Sequence, residues 1–384
     1  MSGVDRYSRR TLLAAGAAVT IAGLTACSDR RAGKTNDTVP TSTPTAASPE
    51  TAAVTVAPTD PGTTAVPVVG DAYFPPATGD WETVSSADAG LSDAGVAALV
   101  EMVGSVHSDS FVLLWQGRIV AEQYWNGADA TFTRDLASAQ KSVTSTLVGL
   151  AHDRGLLALD DPASEYLHPG WSAAASADEA AITIRHLLTM SSGLNPRSLR
   201  KDAAPGTVWD YNTDAYQKLR SVLEAAAGTD INTLSKDWLF DAIGIAQSTP
   251  WAPRGGLTDA VGDATYGLTI SAREMARFGL FAMRRGAWAG EQITAPDWFD
   301  EAWTSMPLKR DYGYLWWLLG KGHFASKGAA TDLVAALGAQ DQKIYVSPTD
   351  GLVLTRQGTA AGEVSQTESD FDAALITALG NARA

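Results

Sequence analysis

Cysteine, histidine and positive charge are all scarce in this 384-residue sequence, and each scarcity weighs against a class of function. There is one cysteine, Cys27, so the chain cannot form an intramolecular disulfide bond. The five histidines never occur in the spacings H-x-H-x-D or H-E-x-x-H, which leaves a zinc hydrolase unsupported. Lysine and arginine total 29 against 43 aspartates and glutamates, a net charge of −14. Because an acidic surface repels phosphate backbones, we predict no nucleic-acid partner.

Two further absences narrow the possibilities. The motif G-x-S-x-G, which marks the nucleophile of α/β-hydrolases, does not occur in the sequence. The chain also lacks a long hydrophobic run near its start, because the apolar stretch from Leu12 to Ala26 is short and dominated by small residues. Such a stretch is not typical of a stable membrane span.

The amino terminus is instead typical of an export signal. Residues 8–13 read Ser-Arg-Arg-Thr-Leu-Leu, a twin-arginine start, and the short apolar stretch follows. Leu-Thr-Ala-Cys at 24–27 resembles a bacterial lipobox, in which the cysteine becomes the lipid-bearing first residue. We therefore predict a twin-arginine lipoprotein signal peptide over residues 1–27, with Cys27 as the site of lipid attachment. The mature protein would lie on the outer face of the bacterial cytoplasmic membrane, held there by its lipid anchor.

The composition changes twice along the chain. Residues 28–79 are rich in Thr, Pro and Ala and have few large side chains, which predicts a disordered tether. Residues 80–384 carry the hydrophobic periodicity of a globular domain. Short apolar or β-branched runs predict strands near both ends, and the middle is mainly helical. We expect one antiparallel sheet closed by the two chain ends, flanked by helices, in an α/β lobe of about 80–137 and 306–384. An inserted helical lobe would span about 138–305.

Local patterns predict the individual elements. The predicted strands form a hairpin over 111–124 with its turn at Gln116-Gly117, followed by runs at 314–318, 333–338, 343–346 and 352–356. The predicted helices begin after Ser92, near Ser138, after Thr213-Asp214, at the capping box that Ser271 opens, and near Ser369.

Ser138 and Lys141 form an S-x-x-K motif at the start of one of these helices. Three-residue spacing puts both side chains on one helical face, where the amine can accept the hydroxyl proton. A serine hydroxyl is a weak nucleophile until a base takes its proton, and a lysine serves when burial lowers its pKa. The motif alone has little specificity: Ser198 and Lys201 match it too, in a polar stretch that we interpret as a solvated loop. An ordinary N-cap is the alternative for Ser138.

The sequence around Ser138 resembles the active-site segment of β-lactamase-related serine hydrolases. This family includes class C β-lactamases, DD-peptidases, esterases and 6-aminohexanoate-dimer hydrolases. Further segments match the family in order, at 156–162, 184–194, 205–211, 271–279 and 342–346. Together they cover nearly all of residues 90–380. The resemblance implies a β-lactamase/DD-peptidase-like fold and a serine acyl-enzyme, with no metal or organic cofactor.

The resemblance also implies roles for particular residues. Tyr211 matches the tyrosine of a Tyr-x-Asn motif, and would exchange protons with Ser138 and the leaving group. Thr213 stands where asparagine is usual and Asn212 lies one place earlier, so either could provide the polar substrate-binding side chain. The backbone N–H groups of Ser138 and Ala339 would form the oxyanion hole.

The family's Lys-Thr-Gly strand motif is altered in this chain. Its counterpart is Ala336-Leu337-Gly338, in which Gly338 would let the substrate backbone approach closely. Ala336 and Gly338 are thus substrate-binding candidates, but Ala336 has no charge and Leu337 no hydroxyl. Penicillin-recognising relatives use those groups to bind the substrate carboxylate, so we favour an esterase or amidase acting on a small ester, amide or peptide-like molecule. A true β-lactamase or DD-peptidase remains an alternative, as does a non-catalytic cell-wall-binding module of the same fold.

Overall fold

The computed structural model describes residues 72–246, 249–361 and 368–383. The predicted signal peptide and nearly all of the predicted tether lie outside these ranges. No helix within them is both long and apolar enough to cross a membrane. The strands are β1 (Ser108–Trp115), β2 (Arg118–Tyr124), β3 (Thr133–Asp135), β4 (Trp251–Thr258), β5 (Ala264–Ser271), β6 (Ala287–Trp288), β7 (Glu291–Gln292), β8 (Val334–Gly338), β9 (Gln342–Ser347) and β10 (Leu352–Gly358).

Of the α-helices in the described ranges, five have twelve or more residues and the others are shorter. The α-helices are α1 (Asp93–Gly104), α2 (Gln140–Asp153), α3 (Ser176–Glu179), α4 (Ile184–Leu188), α5 (Thr213–Ala227), α6 (Ile231–Ser235), α7 (Asp241–Ile243), α8 (Ala272–Met283), α9 (Pro296–Ala302) and α10 (Glu368–Asn381). A 3₁₀ turn, Ala137–Ala139, leads directly into α2.

Five antiparallel strands form the main sheet, in the order β2-β1-β10-β9-β8. The strand nearest the carboxyl terminus, β10, therefore lies at its centre, beside β1 from the start of the domain. The β1–β2 hairpin turns at Gln116 and Gly117, whose φ angles of 50° and 90° are both positive, as a two-residue turn of type I′ requires. These observations confirm the predicted hairpin and the predicted sheet closed by the two ends of the chain.

Helices cover both faces of this sheet because its strands are apolar on both sides. Phe111 and Leu113 of β1 pack with α1 and α10, whereas Val112 and Leu114 belong to the larger core on the opposite face. On that opposite face α8 lies so close that a Cβ on Gly279 would be 2.5 Å from a methyl carbon of Val353. The predicted fold class is confirmed: an antiparallel sheet flanked by helices, with an inserted helical region.

The inserted region is less purely helical than predicted. Helices α2 and α5 pack against each other there, but β3, β5 and β4 form a second, three-stranded sheet. The helix α8, which we expected in the helical lobe, packs on the five-stranded sheet instead. The lobes therefore do not follow the predicted limits along the chain.

Two predictions about local structure were wrong. Residues 314–318 do not form a strand, because Leu315 has a φ of 60° and only Trp317 bridges to Ala335 of β8. The domain also begins before residue 80. The side chains of Tyr73 and Phe74 pack against the core, and Arg277 on α8 donates hydrogen bonds to the carbonyls of Pro75 and Pro76.

Candidate active site

Ser138 lies on a tight turn between β3 and α2. The preceding residue, Ala137, has a φ of 50°, a left-handed conformation that costs an alanine about 1–2 kcal/mol. Its backbone N–H donates to the Asp135 carboxylate at 2.8 Å. The turn presents the Ser138 side chain, which is partly exposed, directly before the first turn of α2. The second S-x-x-K match is not helical, as predicted, and Lys201 pairs with Asp178 at the surface.

Lys141 is brought to Ser138 by the first turn of α2. Its Nζ lies 2.9 Å from Ser138 Oγ and 3.4 Å from Thr213 Oγ1. The residue is only 2% exposed. The aromatic faces of Tyr211 and Tyr216 lie beside the amine, with ring centroids 4.9 and 4.6 Å from Nζ. The amine is thus shielded from water and within reach of the serine proton.

Burial strongly lowers the pKa of Lys141, to about 7 from the usual 10.5. The positive charge of Arg254 lowers this pKa further, and the negative charge of Asp214 opposes the shift. A large fraction of the amine is therefore neutral near pH 7. Only the neutral form has the lone pair with which a general base accepts a proton.

The start of α5 separates the roles of the two polar residues that follow Tyr211. Asn212 is the N-cap of α5: its Oδ1 accepts from the N–H of Ala215, and its Nδ2 donates to the Leu194 carbonyl. It is 1% exposed, so its predicted contact with substrate is not supported. Thr213 instead reaches Lys141, and takes the position at which the family motif has asparagine.

The end of β8 lies against the Ser138 turn. A Cβ on Gly338 would be 2.1 Å from the Leu136 carbonyl oxygen and 3.0 Å from the Ala139 nitrogen, so only glycine fits there. Ala339 follows Gly338 at an exposed position next to this turn. Ala336 is 1% exposed, and its methyl group therefore offers no surface to a substrate, contrary to its prediction as a substrate-binding residue.

Aromatic side chains from two distant segments surround Tyr211. The ring of Trp317 stacks on that of Tyr211, with centroids 6.1 Å apart, while Trp209 and Tyr312 approach both rings edge-on or tilted. Trp209, Tyr211 and Trp317 are partly exposed. They give the candidate site an apolar, aromatic rim. No local signal in the sequence identified Trp209 or Tyr312 as part of this rim.

A cavity of about 570 Å³ lies elsewhere, lined by side chains of α4 and of the segment 301–308. Arg185, His186 and Tyr314 are among its lining residues, and Ser138, Lys141 and Tyr211 are not. The volume of a cavity does not by itself identify a catalytic site. We therefore assign the active site from the geometry of the nucleophile and its base. Within the described ranges, no three His, Asp or Glu side chains are arranged to hold a metal ion.

Comparisons with known proteins bear on the family and the fold of the chain. The model of the family named Beta-lactamase matches residues 96–378, well over half of the chain. An uncharacterised protein of Alkalihalophilus pseudofirmus is 24% identical over 216 residues, which are 50% of this chain and 62% of that relative. The chain therefore spans less than two thirds of that relative's length.

Solved structures share the fold at low sequence identity. A Bacillus anthracis protein provisionally described as a 6-aminohexanoate-dimer hydrolase superposes with a TM-score of 0.63 at 18% identity, over 80% of this chain and 90% of its own. A penicillin-binding protein homologue from Caulobacter crescentus gives 0.57 at 15% identity, over 75% and 98%. D-alanine carboxypeptidase AmpC from Burkholderia cenocepacia gives 0.57 at 17%, over 77% and 98%.

Proposed function

The chain belongs to the β-lactamase family of serine hydrolases, and from that premise we propose that it cleaves an ester or amide through an acyl-enzyme on Ser138. The observation that carries the proposal is the 2.9 Å distance between Ser138 Oγ and the buried amine of Lys141. A nucleophile within hydrogen-bond reach of a base whose pKa lies near neutrality is the arrangement that acyl transfer needs.

The first half of the reaction forms the acyl-enzyme. Neutral Lys141 accepts the Ser138 proton as Oγ attacks the substrate carbonyl carbon. The new ammonium lies against the faces of Tyr211 and Tyr216, which attract a cation. The oxyanion accepts hydrogen bonds from the backbone N–H groups of Ser138 and Ala339. Tyr211 relays the proton from the Lys141 ammonium to the leaving oxygen or nitrogen, the carbonyl–heteroatom bond breaks, and an alcohol or amine departs.

Water completes the cycle. The same bases remove a proton from water as it attacks the acyl carbon. The second tetrahedral intermediate collapses with cleavage of the bond to Ser138 Oγ, which regains its proton, and a carboxylic acid leaves. Each half-reaction passes the proton that it takes on to its own leaving group, so the site ends in its starting state.

The lining of the site favours a substrate without a carboxylate next to the scissile bond. Ala336 and Leu337 provide neither the charge nor the hydroxyl with which penicillin-recognising members of the family bind that group. The partly exposed rings of Trp209, Tyr211 and Trp317 favour an apolar or aromatic group. A small ester or amide fits these features better than a β-lactam or a cell-wall peptide.

The test uses a fluorophosphonate probe, which labels activated serines. We expect the purified protein to be labelled and the Ser138→Ala variant not to be. Ser198→Ala is the matched control, because that serine belongs to the second S-x-x-K match and should leave labelling unchanged. Failure of the folded wild-type protein to label, or labelling that survives Ser138→Ala, would favour the non-catalytic alternative.

Substrate class is decided by a panel on the same preparations. We expect brisk cleavage of short p-nitrophenyl esters and slow turnover of the chromogenic β-lactam nitrocefin, both lost in Ser138→Ala. Rapid nitrocefin turnover would favour a true β-lactamase, and release of D-alanine from a cell-wall peptide would favour a DD-peptidase.

The site of action is part of the same proposal. The twin-arginine start and the Leu-Thr-Ala-Cys sequence ending at Cys27 support export and lipid attachment. A lipid-anchored hydrolase would meet substrates outside the cytoplasm.

A further inference from the structure

Beyond the residues of the proposed reaction, we propose that Arg254 is a positioning residue: clamped on Asp135, it holds the turn that presents Ser138 and fixes Gln140 next to Lys141. Arg254 lies on β4, more than 110 residues after the nucleophile, and no sequence motif marks it. The inference rests on the proposed function, since a positioning role requires a nucleophile to position.

The first contact of Arg254 is a bidentate ion pair with Asp135. Its Nε donates to Asp135 Oδ2 at 2.7 Å and its Nη2 to Asp135 Oδ1 at 2.8 Å. Asp135 Oδ1 also accepts from the N–H of Ala137, the residue with the left-handed backbone. The guanidinium therefore fixes the carboxylate that supports the strained residue directly before Ser138.

The second contact is with the first residue of α2. Arg254 Nη2 donates to Gln140 Oε1 at 2.9 Å, and the same oxygen accepts from the Leu268 N–H at 2.8 Å. Gln140 Nε2 in turn donates to the Tyr266 carbonyl at 2.9 Å. Gln140 is 1% exposed, so its side-chain amide forms these hydrogen bonds within the protein and is shielded from water. Because Gln140 precedes Lys141, the network fixes the turn of helix that carries the base.

The site is built to hold this pair closely. Gly267 on β5 lies across from it, and a Cβ there would be 2.4 Å from Asp135 Oδ2 and 3.0 Å from Arg254 Nε. Side-chain exposures of 23% for Arg254 and 40% for Asp135 mean that solvent screens the ion pair, so it contributes little to global stability. Its effect is expected in the geometry and charge of the site.

Charge adds to geometry at Lys141. The charged and titratable groups nearest to the amine come from β4 (Arg254), from α5 (Asp214 and Tyr216) and from the segment before α5 (Tyr211), and β8 contributes none. Arg254 is the positive member, and it lowers the pKa of Lys141, whereas Asp214 raises it. Loss of the guanidinium should therefore keep Lys141 protonated to a higher pH.

Two variants separate charge from geometry. Arg254→Met removes both the charge and the hydrogen bonds, and Arg254→Lys keeps the charge but cannot bridge Asp135 and Gln140 together. The control is Arg273→Met on α8, which removes another two-pronged ion pair, with Glu122, away from the site. The measurement is the second-order rate of fluorophosphonate labelling of the full-length protein between pH 5 and 9, with circular dichroism to verify folding.

We expect the wild-type rate to rise through a midpoint near pH 7. Arg254→Met should move that midpoint up by about one pH unit, which lowers the rate about tenfold on the acidic side. Arg254→Lys should keep the midpoint near the wild-type value but lower the plateau several-fold. Arg273→Met should match the wild type.

The outcomes distinguish the two proposals. A reactive wild type together with an unmoved midpoint in Arg254→Met, or an equal change in Arg273→Met, overturns the role of Arg254 and leaves the proposed function intact. Should Arg254→Met fail to fold, Arg254→Lys decides: a lowered plateau supports the role, and a wild-type plateau overturns it. A folded wild type that never labels refutes the proposed function and this inference with it.

Discussion

Lys141 shows how one buried group can weaken the fold and yet provide the proposed base. Its ammonium form loses most of its hydration inside the domain. Its hydrogen-bond partners there are the hydroxyl groups of Ser138 and Thr213, which carry no negative charge to balance the ammonium. Lys218 on α5 is almost equally buried, but its amine lies 2.6 Å from Asp259 and 2.5 Å from Asp263. The two lysines differ in partners, and this difference separates a reactive amine from a structural one.

The same substitution at these two lysines should therefore change stability in opposite directions. Lys141→Met removes a costly buried amine and should raise the melting temperature, whereas Lys218→Met leaves two carboxylates without their cation and should lower it. Thermal unfolding monitored by circular dichroism measures both changes.

The gain in Lys141→Met should also depend on pH. The folded pKa of about 7 lies below the unfolded value near 10.5, so the unfolded chain binds more protons between these values. The penalty is complete below pH 7 and fades as the pH rises towards 10.5. A melting-temperature difference that grows over this range would contradict the assignment of a buried amine with a lowered pKa.

The sequence was enough to predict which residues lie close together when they are spaced along one helix. It was not enough when the residues come from segments far apart in the chain. The three-residue interval places Ser138 beside Lys141 in any helix. By contrast, Asn212 is the N-cap of α5 and Thr213 is its first helical residue, so their roles depended on where α5 begins. Arg254 comes to the site because β4 pairs with β5, which also pairs with β3, and this arrangement has no local signature in the sequence.

At the scale of elements, the fit of α8 against the main sheet depends on a missing side chain. Gly279 lies where a Cβ would be 2.5 Å from Val353 and 3.1 Å from Ile344. Gly380, on α10, has no neighbour within 4 Å of the equivalent position. A side chain at Gly279 would therefore disturb packing, whereas a side chain at Gly380 would change only the conformational freedom of the backbone.

Alanine at these two positions should have opposite effects. Gly279→Ala forces the helix from the sheet and should lower the free energy of unfolding by about 1–3 kcal/mol. Gly380→Ala should raise it by up to about 1 kcal/mol, because alanine loses less backbone entropy in a helix. Urea denaturation of both variants measures the difference, and a neutral Gly279→Ala would show that the α8 contact is looser than described.

Elements with clear end signals were predicted well. The turn at Gln116-Gly117 and the capping box of Ser271 and Glu274 were both found where expected. The strand predicted over 314–318 was wrong because its apolar residues are buried without pairing along a ladder. Trp316 is inside the core, and Trp317 makes only isolated bridges, to Tyr312 and Ala335. Hydrophobicity alone does not distinguish these two ways of burying a segment.

For the whole molecule, the order of strands and helices along the chain was enough to predict a sheet closed by both ends. It was not enough to assign α8, because a helix gives no sequence signal of which layer it will cover. The start of the domain was also placed too late, since the short segment at 72–76 is held by contacts with α8 and the hairpin turn rather than by structure of its own.

The proposed anchoring is tested on the whole protein in a bacterial host. We expect the full-length chain to fractionate with membranes and to enter the detergent phase on Triton X-114 separation. Cys27→Ser removes the acceptor for the lipid, and the variant should move to the aqueous phase with its labelling by fluorophosphonate unchanged. Recovery of the wild type in the aqueous phase would contradict lipid attachment.

The central position of β10 has a consequence for how the protein is made. Its partner β1 is synthesised some 240 residues earlier, and the pairing of Ser108 with Gly358 closes nearly the whole domain into one loop. Until the ribosome has released that last strand, the apolar run Phe111 to Leu114 has only β2 beside it and an open edge on the other side. Contacts this distant in sequence form slowly, and unpaired apolar edges are prone to aggregate. The nascent chain should therefore depend on chaperones until translation ends.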